Sequence, residues 1–163
     1  MKLLTPEFRA SYARVHEPRE NPSGQMKYSV QMRFEDTAQG LGDIKEAIKA
    51  VVTEKWGKKA PAGLRLPLRE DEDGAIFANC SSNDPIPVVD SKNNLIAEGV
   101  YSGCYGVAQI SIYAYDQAGN RGVGFGLCAF KMTRDGDRLD GRQSAAEIFG
   151  APESGSDDDD IFG

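Results

Sequence analysis

The stretch from Val100 to Thr133 limits the possible folds more than any other. In VYSGCYGVAQISIYAYD, Val100, Cys104, Ala108, Ile110, Ile112 and Ala114 share one parity, and Tyr101, Tyr105, Gln109, Ser111, Tyr113 and Tyr115 share the other. Successive side chains of a strand point to opposite faces, so Val100 to Asp116 reads as a long strand with an apolar face for a core and a polar, tyrosine-rich face turned outward. Ala118-Gly119-Asn120 reads as a tight hairpin turn, and Gly122 to Thr133 as the next strand. Gly103 and Gly106 allow the long strand to bend, as a closing sheet requires.

Three further strands precede this pair. Phe8 to Glu17 places Phe8, Ala10, Tyr12, Arg14 and His16 on one face. After the turn cluster PRENPSG (18–24), Lys27 to Phe34 alternates cleanly, with Tyr28, Val30, Met32 and Phe34 against Lys27, Ser29, Gln31 and Arg33. Ala75 to Ser82 is the third. Asp43 to Trp56 is the one convincing helix, because Ile44, Ala47, Ile48, Val51, Val52 and Trp56 recur at helical spacing. Asp43 and Glu46 suggest a capping box, and Gly57 a stop. Trp56 is expected in the core. Lys58 to Gly74 and Asp84 to Gly99 read as loops. The expected fold is mainly β: a five-stranded OB-fold-like barrel with one amphipathic helix and a disordered acidic C-terminal tail. One feature fits imperfectly, since an OB helix usually lies between the third and fourth strands and here follows the second.

The chain of 163 residues suits one domain, 1–150, and a tail, 151–163. The formal net charge is −6. Glu153 and Asp157 to Asp160 put −5 of it in the tail, which leaves 19 basic against 20 acidic side chains in the body. A near-neutral body keeps a nucleic-acid partner open where the pI of about 4.9 would argue against one. Cys80, Cys104 and Cys128 are odd in number and form no CxxC pair, so buried reduced thiols are expected rather than disulfides or a zinc knuckle. No apolar run reaches the roughly 18 residues of a membrane helix. The start MKLLTP is too short and too soon polar for a secretory signal, so a cytoplasmic location is expected, that of the host cell for a phage-encoded chain.

Residues 151–156, APESGS, form a flexible linker, followed by Asp157, Asp158, Asp159, Asp160, Ile161, Phe162 and Gly163. A solubilising tail has no need of an apolar pair at its tip. Four carboxylates before Ile161 and Phe162 look instead like a docking peptide, with the apolar pair for a pocket and the acids for its basic rim. The segment Glu147-Ile148-Phe149-Gly150 nearly repeats Asp160-Ile161-Phe162-Gly163.

The terminus DDDDIFG is similar to the acidic, phenylalanine-tipped tails of bacterial and phage single-strand-binding proteins. The body resembles the phage-encoded ssDNA-binding family in ASYARVHEP, KYSVQMRF, EKWG and, above all, VYSGCYGVAQISIYAYDQAGNRGVGFGL. The resemblance implies an OB-fold and ssDNA binding without strong sequence preference. It further implies tail contacts to proteins of DNA replication or recombination. The chain departs from the bacterial pattern by ending on Gly163 after the phenylalanine.

Single-strand binding needs rings for bases and cations for phosphates. Tyr101, Tyr105, Tyr113 and Tyr115 on one face are candidate stacking residues; the alternatives are that some cap the core or seal a subunit interface, such as that of a homodimer. Phe77 either stacks or is core. Tyr12 with Arg14 on the first strand, Lys27 and Arg33 on the second, and Arg121 in the hairpin complete the candidate ssDNA-binding set. The contrast between a near-neutral body and a −5 tail suggests a further role for the tail, which can occupy the DNA groove when DNA is absent. No P-loop, GxGxxG, GxSxG or HExxH is present, and GVGFG (122–126) leads into a strand rather than a helix, so no enzyme, metal or cofactor is expected. The alternatives are a protein-interaction module that binds no DNA and a strand-annealing or duplex-binding architectural protein.

Overall fold

The computed structural model describes residues 1–34 and 41–139. Its elements, in chain order, are β1 (Lys2–Leu4), β2 (Phe8–Glu20), β3 (Met26–Phe34), α1 (Leu41–Trp56), β4 (Arg69–Glu70), β5 (Ile76–Ser82), β6 (Val88–Val89), β7 (Tyr105–Gln117) and β8 (Asn120–Arg134). The five long strands close a ring, with β7 beside β2, then β3, β5, β8 and back to β7. All neighbours around it are antiparallel except β5 and β8, which meet in parallel at Ser81 and Gly126. This is the five-stranded, OB-fold-like arrangement that the periodicity implied. The helix follows the second strand of the ring, as in the sequence, and packs against β7 and β8. The short strands β1, β4 and β6 lie outside the ring, on β7, β5 and β8. At two or three residues each they are too short to leave a period in the sequence.

The inward faces supply one core. Phe8 touches Phe34 and Phe130 edge to face, both at 5.9 Å between centroids, a preferred geometry for aromatic pairs. Val30 and Met32 from β3, Ala78 and Cys80 from β5, Ala108, Ile110 and Ile112 from β7, and Phe125, Leu127 and Phe130 from β8 complete it. The helix contributes Leu41, Ile44, Ala47, Ile48 and Val51. Trp56 is only partly buried and is not in this core. The buried stripe passes through Ile44, Ile48 and Val51, and Trp56 sits one turn after the flanking Val52 instead. The helix starts at Leu41, so Asp43 lies in its first turn, where a carboxylate opposes the helix dipole, and is not the cap.

Three further expectations need correction. Val100 to Cys104 is not strand: it forms a turn, with Cys104 N–H donating to the Tyr101 carbonyl at 3.2 Å, and β7 begins at Tyr105. Gly103 there has φ +115°, and a Cβ on it would collide with the Asp137 carbonyl, so the bend needs glycine. Second, β2 does not keep one parity. Ser11 pairs with Gln31 and Arg14 with Ser29, so β2 advances three residues while β3 advances two. This β-bulge switches the buried parity from Phe8 and Ala10 to Val15, and separates Tyr12 and Arg14 from the face of Phe8. Third, β2 continues through Pro18 to Glu20, and the turn proper is Asn21 to Gly24, where Asn21 Oδ1 accepts from the Ser23 and Gln25 N–H groups.

Candidate nucleic-acid interface

The hairpin of β7 and β8 makes the floor of the candidate site. Its turn has only two residues, Ala118 (φ 50°) and Gly119 (φ 86°), the left-handed pair of a type I′ turn. That turn sets the register: Tyr115 lies opposite Gly122, Tyr113 opposite Gly124 and Ser111 opposite Gly126. Every residue on the outer face of β8 here, Gly122, Gly124 and Gly126, lacks a side chain, and the tyrosines fill the space. A Cβ on Gly124 would lie 2.7 Å from Tyr113 Cζ, and one on Gly122 2.8 Å from the Tyr115 hydroxyl. The rings are supported from below by backbone, 6.5 Å apart and inclined at 51°. Tyr113 remains 48% exposed, and burial pushes its hydroxyl pKa up.

A groove of about 370 Å³ runs over these rings. Gln31, Asn79 and Ser81 line its sheet side, Tyr12 stands at one end, and Arg65, Leu66, Pro67 and Arg69 form a wall. The wall is tied down by backbone: Arg65 N–H donates to the Arg121 carbonyl at 3.0 Å, and Val123 N–H to the Arg65 carbonyl at 2.9 Å. A second hollow of about 420 Å³ shares Tyr12, Ser29 and Ser81 with the first, and is lined by Arg14, Arg19 and Lys27 with Glu20. Arg19 and Lys27 are register partners on adjacent strands. Like charges placed so are unfavourable, and an anion between them removes the penalty. Arg9 and Arg33 are also partners, but each has oxygen ligands: Arg9 reaches the Gly103 and Asp137 carbonyls, and Arg33 reaches Asp71.

Among the described residues, the salt bridges are Arg33–Asp71 at 2.6 Å, Arg134–Glu7 at 3.0 Å and Arg121–Asp116 at 3.3 Å. None uses Arg14, Arg19, Lys27, Arg65 or Arg69, the cations that line the two hollows.

The residues singled out in the sequence therefore divide. Tyr12, Arg14, Lys27, Tyr113 and Tyr115 come together along the joined hollows. Arg33 and Phe77 face each other on the same outer sheet surface just beyond, with the guanidinium 5.6 Å from the ring centre. Arg33 also donates to Gln31 Oε1, which ties it to the groove's edge, but its charge is met by Asp71. Hydrogen bonds from the Ala75 N–H and the Arg33 guanidinium hold the Asp71 carboxyl below its usual pKa. Arg121 sits at the hairpin end, paired with Asp116. Tyr101 and Tyr105 lie at the other end of the molecule's longest strand pair. Arg134 covers the Tyr105 ring at 3.7 Å, Arg138 lies 4.7 Å from the Tyr101 ring centre, and the Tyr101 hydroxyl contacts Asp135 and Gly136. Those two tyrosines are packed by the protein itself. His16 Nε2 accepts the Val100 N–H at 3.1 Å, and burial lowers its pKa. Asp157 to Phe162, and the copy at 147–150, lie outside the described residues.

Sequence reasoning missed Arg19, Arg65 and Arg69. Arg19 stood in an apparent turn, and Arg65 and Arg69 in an apparent loop, where no period assigns a face. The alternating Gly122, Gly124 and Gly126 were the available signal for the floor. Among the described residues no three His, Cys, Asp or Glu side chains gather as a metal site, and no helix is long and apolar enough to cross a membrane.

This groove can be set against known proteins. Residues 1–162 match the family model described as Enterobacter phage Enc34, ssDNA-binding protein. The chain belongs to that family. A phage relative, putative protein p50 of Acyrthosiphon pisum secondary endosymbiont phage 1, is 28% identical over 162 residues, covering 86% of this chain and 88% of its own. Among solved structures, the Enc34 family's namesake, the single-stranded DNA-binding protein from bacteriophage Enc34 in complex with ssDNA, superposes with a TM-score of 0.73 at 16% identity, over 85% of this chain and 89% of that one. The single-stranded DNA binding protein gp2.5 encoded by bacteriophage T7 gives 0.70 at 14% identity, over 96% and 97%. At such identities the structural likeness establishes the shared fold.

Proposed function

We propose that this member of the Enc34 family binds single-stranded DNA without sequence preference and coats it during phage DNA replication or recombination. The observation that carries the reading is the pair Tyr113 and Tyr115, laid over a glycine floor inside a groove walled by Arg65 and Arg69. Membership of the Enc34 family and the ssDNA complex of the Enc34 protein support it. An unpaired base offers its π-face to a tyrosine, and stacking contributes about 1–3 kcal/mol per base whatever the base is. Arg14, Arg19 and Lys27 continue the track with positive charge suited to phosphates. A duplex keeps its bases stacked on each other and cannot present those faces.

The tail belongs to the same proposal. Asp157 to Asp160 with Ile161 and Phe162 would recruit replication or recombination proteins, and its −5 charge would compete with DNA for the cationic hollows. A chain ending at Ser156 then binds oligo-dT more tightly at low salt; unchanged affinity overturns this competition.

Photocrosslinking tests the site itself. Oligonucleotides carrying 5-iodouracil should attach to peptides containing Tyr113 and Tyr115. Attachment confined to peptides containing Tyr101 and Tyr105 would move the site to the other end of β7.

A further inference from the structure

Tyr12 is held in a conformation that its own packing does not repay. Its φ is +49°, a left-handed backbone that bulky side chains rarely adopt, and its side chain is 70% exposed. Among the described residues, neither the core nor a hydrogen bond of its hydroxyl accounts for the cost. The surroundings impose the conformation. The extra residue of the β2 bulge falls here, Ala13 N–H donates to the buried Ser102 hydroxyl at 2.9 Å, and Gly103 N–H donates to the Ala10 carbonyl at 2.7 Å. The turn after Val100 thus grips β2 on both sides of Tyr12. Backbone strain that the rest of the fold enforces is characteristic of functional positions.

Tyr12 also has a particular place. It lines both hollows, and so stands where the stacking half (Tyr113, Tyr115, Arg65, Arg69) meets the cationic half (Arg14, Arg19, Lys27). The two halves differ in chemistry, and a continuous strand running from one to the other must pass this ring.

We propose that Tyr12 is a positioning wedge that parts two successive bases of the bound strand, dividing the groove into a stacking subsite and a phosphate subsite. The inference rests on the single-strand reading above and specifies how the strand is laid out. It makes stability and affinity move in opposite directions at one residue. Asn tolerates the left-handed region far better than Tyr, so Tyr12→Asn relieves the backbone while removing the wedge. Tyr12→Phe keeps the ring.

The test uses the full chain, with oligo-dT of about 4 and about 16 nucleotides, the limits of site size for one fold of this kind. Tyr12→Asn should melt at the same temperature as the parent or higher. It should bind the longer oligonucleotide at least about fivefold more weakly, the lower end of one stacking contact. It should bind the shorter one, which fits the stacking subsite alone, as the parent does. Tyr12→Phe should match the parent with both. Unchanged affinity of Tyr12→Asn for the longer strand overturns the proposal, as does an equal loss at both lengths or a loss accompanied by a lower melting temperature. If the parent binds neither oligonucleotide, the single-strand reading itself fails, and the wedge with it.

Discussion

Replacing Tyr113 by Ala removes a ring whose lower face rests on Gly124 and whose upper face opens to the groove. The ring is 48% exposed and lies opposite the buried Ile110 and Ile112 face of β7, so little core packing is lost. One ring serves one base, which sets the cost in binding at about 1–3 kcal/mol, or roughly 5- to 140-fold in Kd. No cation is lost, so the dependence of log K on log salt should keep its slope. Tyr105→Ala is the control from the same strand. That ring lies under Arg134 and near Arg9, so its loss should lower stability by about 0.5–3 kcal/mol and leave ssDNA affinity unchanged. Anisotropy titrations of labelled oligo-dT with both variants, beside thermal melts, read all four quantities. Equal losses of affinity in the two variants would refute the division of the tyrosines. So would a Tyr113→Ala protein that melts early enough to account for its weaker binding.

Other consequences are as direct. The hollows hold five cations, Arg14, Arg19, Lys27, Arg65 and Arg69, so the salt slope should be near about −3.5, and Arg65→Gln with Arg69→Gln should bring it to about −2 by the same titration. Ala118 occupies a left-handed position ahead of Gly119, so Ala118→Asn, which supplies the favoured Asn-Gly turn, should stabilise by about 1 kcal/mol and raise Tm by about 2–4 °C in calorimetry. Hydrogen bonds from Thr133 and Arg134 lower the Glu7 pKa, so its contribution is present above the unfolded-state pKa of about 4.3 and is lost as pH falls through the lower folded value; Glu7→Gln should flatten that part of a stability–pH curve. Burial pushes the Cys80 and Cys104 thiols up, so both should resist alkylation in the folded protein at pH 8 and react once it is unfolded.

The core was legible because strand alternation is a local signal. Val30, Met32, Ile110 and Ile112 point inward as their parity requires, and the helix stripe from Ile44 to Val51 follows its period. The site was less legible, because it depends on places where the period breaks. The bulge at Tyr12 changed which residues of β2 share a face, and parity alone could not reveal it. Tyr101 matched the parity of Tyr105 but belongs to a turn set by Gly103. Turn length mattered most. Reading the hairpin turn as Ala118-Gly119-Asn120 shifts the register by one residue and places Tyr113 opposite Phe125. The two-residue turn places it opposite Gly124, which exposes the floor of the groove. Arg65 reaches the site through contact of its loop with β8, and Arg69 through the pairing of β4 with β5, and no local pattern encodes either.

The central claim is that the groove over Tyr113 and Tyr115 holds a single strand by stacking and charge. Its most direct test is fluorescence anisotropy of labelled oligo-dT with the full chain at about 50 and 200 mM salt, with unlabelled duplex as competitor. The account predicts binding that weakens steeply between the two salt concentrations and yields little to duplex. Failure to bind oligo-dT at the lower salt, or displacement by duplex as effective as by unlabelled oligo-dT, would contradict it.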